Sequence, residues 1–111
     1  MHEDWPDALD HVQRSSARLR RSNPEILKAF QRVREASHAN TAIDAKTREL
    51  IAIGIAAALH CDGCIASHVS QAKKAGATEA EVGAAIGTAM AIGMGSQYVQ
   101  ALKVLEAYDQ F

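Results

Sequence analysis

The stretch whose reading decides the fold runs from Glu49 to His68, ELIAIGIAAALHCDGCIASH. Its first part, from about Asp44 to Leu59, has helical spacing. Leu50, Ile51, Ile55, Ala58 and Leu59 make one stripe, and Ala52, Ile53, Ala56 and Ala57 leave the opposite side apolar too. A helix apolar all round is expected to be buried on all sides. A carboxylate such as Glu49, if covered there, needs a partner. Cys61-Asp62-Gly63-Cys64 then turns the chain into a further helix reaching about Lys74, with Gly76 where a glycine cap belongs. Two thiols three residues apart at a helix start lie within reach of each other. Free N–H groups and the positive dipole end favour the thiolate, the form that reacts. His68, four residues past Cys64, shares its face, and His60 stands directly before the pair. One thiol can then attack while the other closes a disulfide.

Working outward, the same helical punctuation recurs. Trp5, Leu9, Val12 and Leu19 space a weakly amphipathic helix over residues 1–20, with arginines crowding its end. Asn23-Pro24-Glu25 is a helix start with Asn as cap and Pro at the first position. Ile26, Leu27, Phe30 and Val33 follow as a stripe that should bury one face. Ser37 to Ile43 reads as a connection, and Asp44 caps the helix carrying Glu49. Thr78 and Glu81 form a capping box, opening a helix in which Gly83, Gly87, Met90, Ala91 and Met94 share a face suited to close helix approach. Gly93 and Gly95 are expected to end it. A last helix carries Tyr98, Leu102, Leu105 and Tyr108 on one side. No strand pattern, repeat or low-complexity linker is visible, so the fold expected is all-α with about six helices in a bundle, one domain over residues 1–111.

Composition bounds the function. Apolar residues make 48% of the 111-residue chain and aromatics only 5%, so the core should be packed by close backbone approach. A net charge of −1 gives no electrostatic case for nucleic acid or an acidic membrane. Val82 to Gly95 is free of charge but too short to span a bilayer, which needs roughly 20 residues. No basic leader precedes an apolar segment, so no signal peptide is expected and the cytoplasm is the default location. There a C-x-x-C is more often catalytic or metal-binding than structural. Zinc would need two ligands beyond the cysteines, from His60, His68 or a neighbouring subunit, and no second C-x-x-C exists, so neither a metal nor another cofactor is expected. The plainer readings are two buried structural thiols, a core histidine at 68 and a partly solvated acid at 49. His60 is either a second relay or a helix-end cation, the latter favoured. His2, His11 and His38 belong to no constellation and are expected to face solvent.

Glu49, then Cys61 and Cys64, then His68, with Lys46-Thr47-Arg48-Glu49-Leu50-Ile51 and Gly76-Ala77-Thr78-Glu79-Ala80-Glu81 around them, resembles the alkylhydroperoxidase core of the carboxymuconolactone decarboxylase family, over about residues 23–105. The resemblance implies an oligomeric, all-helical antioxidant protein that reduces a hydroperoxide at the expense of a thiol or dithiol reductant. It implies Cys64 as the attacking thiol, Cys61 as its resolving partner, His68 as proton relay and Glu49 as the distal base. Contact between Glu49 and His68, expected through water, is taken from the resemblance as well. The family's best-known alkylhydroperoxidase has a histidine between its cysteines, where this chain has Gly63, and two similar halves where this chain has one. A single-copy chain is expected to rebuild the missing half by self-association into a trimer or hexamer. Two alternatives stand beside the peroxidase: a non-enzymatic redox-responsive or scaffolding oligomer, and a decarboxylase-type enzyme. The family's decarboxylases lack the cysteine pair.

Overall fold

The computed structural model describes residues 4–111. It consists of five helices: α1 (Trp5–Ser22), α2 (Pro24–Ala39), α3 (Ala45–Ala58), α4 (Asp62–Lys74) and α5 (Glu79–Gln110). No strand occurs among the described residues, in keeping with the all-α expectation. Short polar side chains set the helix starts. Asp44 Oδ1 accepts from Thr47 N–H at 2.7 Å, and Asn23 Oδ1 accepts from Ile26 N–H at 3.4 Å. At α5, Thr78 and Glu81 satisfy each other's backbone N–H groups at 3.1 and 3.0 Å. Each such cap typically stabilises a helix by ~1 kcal/mol.

Helix α3 is the centre. It packs against α4 on one side and α5 on the other, α1 lies on α4, and α2 on α1. Small residues make the α3–α5 crossing possible. A Cβ at Gly54 would stand 3.5 Å from Ala89 Cβ and 3.9 Å from the Ala85 carbonyl oxygen. Lys46 Nζ meets Glu81 Oε2 at 2.8 Å and ties the first turns of α3 and α5 together. The pair holds the Glu81 carboxyl below the usual carboxylate range and the Lys46 ammonium above the usual lysine range.

Two expectations are corrected. Gly93 and Gly95 do not end a helix; α5 continues unbroken to Gln110. An interior glycine costs about 1 kcal/mol relative to alanine but does not stop a helix unless the chain turns left-handed after it. Neither glycine has a positive φ. The apolar stripes of α2 and α3 are also not covered by their own chain. Phe30 is 57% and Ile55 53% exposed, and the apolar core of the single chain is Ile53, Ala56, Ala66 and Ala72. The all-round apolar pattern of α3 is thus only partly matched by cover from the rest of the chain.

Candidate active site

The turn between α3 and α4 presents the cysteines. Helix α3 closes in a Schellman motif: His60 N–H donates to the Ala57 carbonyl at 3.2 Å and Cys61 N–H to the Ala56 carbonyl at 3.1 Å. His60 holds the left-handed position this motif requires, with φ of 54°, a backbone conformation in which histidine is several-fold enriched. The residue is exposed. The chain emerges with Cys61 as the N-cap of α4, its Sγ accepting from Cys64 N–H at 3.2 Å. Cys61 and Cys64 are joined by a disulfide, with Cα atoms 5.2 Å apart, and both are half-buried. This is the oxidised form of the pair.

One turn further along α4, His68 faces α3. Its Nδ1 lies 2.7 Å from Glu49 Oε2. Glu49 is only 6% exposed and is the single buried charged residue among those described. A carboxylate only accepts, so Nδ1 carries the hydrogen of this bond and Nε2 is the ring's remaining proton site. The contact is direct, without the intervening water expected from the sequence. The antiparallel return of α4 along α3 brings together residues nineteen apart in the chain. In the disulfide form neither sulfur is hydrogen-bonded to the His68 ring among the described residues.

The sequence reading missed His38. At the end of α2 its Nδ1 lies 2.8 Å from the Arg34 carbonyl oxygen, and its Nε2 lies 3.8 Å from the other Glu49 oxygen, Oε1. The expectation that His38 belongs to no constellation is therefore corrected, though its side chain is 48% exposed. Histidine eleven residues before Glu49, across a helix end and a loop, has no periodic relation to it. Only the fold-back of α2 makes them neighbours. Arg48 braces that loop, its guanidinium donating to the carbonyls of Asn40 and Ile43. His38, Glu49 and His68 line one cavity of about 470 Å³ with Arg34, Gln71 and Lys74 at its walls. His11 lies apart, on exposed α1 beside Asp62, and His2 falls outside the described residues.

Gly63, between the cysteines, lies under α1. A Cβ there would stand 3.0 Å from Val12 Cγ2.

A helical chain with a linked C-x-x-C pair at one helix start, and a buried acid–histidine pair one turn on, defines a thiol–disulfide site on an all-α scaffold. The carboxymuconolactone decarboxylase family model matches residues 24–107, and the chain belongs to that family. It is 44% identical over 109 residues to an uncharacterized protein of Haemophilus influenzae, covering 98% of this chain and 96% of that one. An uncharacterized protein of the cox locus of Paracoccus denitrificans is 33% identical, covering 81% of each. Among solved structures, a carboxymuconolactone decarboxylase family protein from Legionella pneumophila superposes with a TM-score of 0.77 at 31% identity, covering 99% of this chain and 98% of that one. A protein from Methanobacterium thermoautotrophicum gives 0.71 at 30% identity, covering 76% and 94%. Among the described residues no helix is long and apolar enough to cross a membrane.

Proposed function

We propose that this chain is a thiol-dependent hydroperoxide reductase working through Cys64, Cys61, His68 and Glu49. The observation that carries the reading is the 2.7 Å bond between buried Glu49 and His68, one helix turn beyond a cysteine pair able to close a disulfide. In the reduced protein the His68 ring, oriented by Glu49, takes the Cys64 thiol proton. The Cys64 thiolate attacks the terminal peroxide oxygen and the O–O bond breaks. With one proton, the products are the alcohol and a Cys64 sulfenic acid. The Cys61 thiolate then attacks the Cys64 sulfur, and hydroxide leaves with a proton as water, forming the disulfide. The Cys64 N–H directed at Cys61 Sγ supports that thiolate as the resolving nucleophile. A dithiol reductant returns two electrons and two protons.

Self-association is part of the proposal. The chain exposes 8817 Å², about half as much again as a folded monomer of its mass presents. Its radius of gyration is 17.9 Å, where a compact chain of this length has about 13 Å. An apolar groove of about 660 Å³ runs between α3 and α5, past Ile51, Gly54, Ile55, Ala89 and Ile92. A second copy is the occupant that fits it, and the cytoplasm is the compartment in which a dithiol can recharge the pair.

The test is peroxide-dependent oxidation of dithiothreitol by the wild type and two variants. Cys64→Ser is expected to abolish turnover, and Cys61→Ser, given peroxide before any dithiol is added, to consume one equivalent and stop with Cys64 as sulfenic acid. Full activity in Cys64→Ser overturns the reading. The packing of Val12 on Gly63, where the family's peroxidase pattern has histidine, favours a second reading: a redox-responsive oligomer that cycles its disulfide without turnover above free dithiol.

A further inference from the structure

We infer that His38 is a positioning residue for Glu49, setting through its own charge how strongly that carboxylate acts on His68. The inference rests on the reading of Glu49 and His68 as the proton relay. Three observations carry it. Glu49 is buried, so water screens its charge less than it would that of a surface carboxylate. Its two oxygens are divided between two rings, Oε2 to His68 at 2.7 Å and Oε1 to His38 at 3.8 Å. The ring of His38 is also oriented from behind: Nδ1 faces the Arg34 carbonyl, which only accepts, so Nδ1 carries a hydrogen. In the neutral ring Nε2 is then a bare lone pair towards Glu49. In the imidazolium it is an N–H facing the carboxylate.

The two forms of His38 therefore do different things to one buried charge. As a cation, His38 offsets the Glu49 carboxylate and weakens its hold on the His68 proton. As a neutral ring it leaves Glu49 to act on His68 alone. The other basic side chains around the cavity are Arg34 on α2 and Lys74 on α4. Arg48 on α3 is engaged by the loop carbonyls of Asn40 and Ile43. His38 and His68 are thus the two imidazoles that face Glu49.

The experiment follows alkylation of Cys64 by iodoacetamide in reduced, full-length Cys61→Ser protein between about pH 5.5 and 8.5, a range that brackets the ordinary histidine transition. Adding His38→Gln is expected to change the rate ratio to the parent by about threefold from one end of the range to the other, the size of a screened unit charge acting through a neighbour. Adding His38→Gln to Glu49→Gln is expected to leave that ratio flat, because the carboxylate through which it acts is gone. A merely structural role scales the rate equally at every pH, so a flat ratio with Glu49 intact overturns the inference. If His38→Gln fails to fold by circular dichroism, His38→Lys decides. It carries a charge that does not titrate here, so its ratio to the parent must also vary with pH, and a flat one overturns the inference. The assay contains no peroxide. Absence of peroxide turnover in the wild type would remove the hydroperoxide reading and leave the result for His38 standing.

Discussion

Val12 of α1 seats directly on Gly63 of α4, leaving 3.0 Å between Val12 Cγ2 and the point a Cβ at position 63 would occupy. The gap between the two cysteines is closed by a helix, in the place where a related pattern carries an imidazole. A side chain at position 63 would meet the Val12 methyl of α1 first.

Gly63→Ala is therefore expected to lower stability by about 1 kcal/mol, the ordinary scale of overpacking. Val12→Ala in the same chain should recover most of that loss, because the two positions touch. Urea denaturation of both single variants and the double variant checks this. Strictly additive effects would show that the contact does not matter.

His60→Gly should raise stability by up to about 1 kcal/mol, since glycine takes the left-handed conformation without a Cβ penalty. The same variant distinguishes a cap from a relay. A capping role predicts an unchanged rate of peroxide-dependent dithiol oxidation, whereas loss of that rate would restore His60 to the chemistry.

The Lys46–Glu81 pair predicts a plateau in stability against pH. The folded Glu81 carboxyl lies below its usual range, held there chiefly by Lys46, and Asp44 is lowered by hydrogen bonding to Thr47, first to its side chain and then to its N–H. Each contributes stability that is present above the usual carboxylate range and lost as pH falls through the lowered value. The raised ammonium of Lys46 contributes stability that is present below the usual lysine range and lost as pH rises through the raised value. Lys46→Met should flatten the alkaline fall and shrink the acid one, leaving the part due to Asp44. Thermal melts across pH check it, and both partners are accessible enough that added salt should reduce the effect.

Ile55→Glu places a charge in the middle of the α3–α5 groove. Sedimentation velocity is expected to give a smaller species than the wild type, because an unpaired charge is not tolerated in an apolar interface. An unchanged sedimentation coefficient would mean that the groove is not where copies meet.

How much of this was legible depends on the range of each interaction. Caps at Asn23, Asp44 and Thr78 act within one turn, and the residues announce them; so does Gly76, which takes φ of 87° after α4. The cysteine pair is equally local. The direct Glu49–His68 bond is not, since spacing along one helix says nothing about how α4 returns along α3, and family resemblance alone anticipated the contact. His38 was illegible for the same reason, with a loop between it and its partner. The continuity of α5 through Gly93 and Gly95 was misread because glycine suggests a stop, while stopping requires a left-handed turn that the chain does not take there.

The sulfur that caps α4 has one more consequence. Cys61 Sγ accepts the Cys64 N–H while it is half of a disulfide, and on reduction the same atom can acquire a full negative charge. An anionic acceptor holds a helix-end amide more firmly than a neutral one. Redox state is thereby translated into the fraying of a single turn, and slower hydrogen–deuterium exchange at the Cys64 amide would report the reduced chain without any assay of its chemistry.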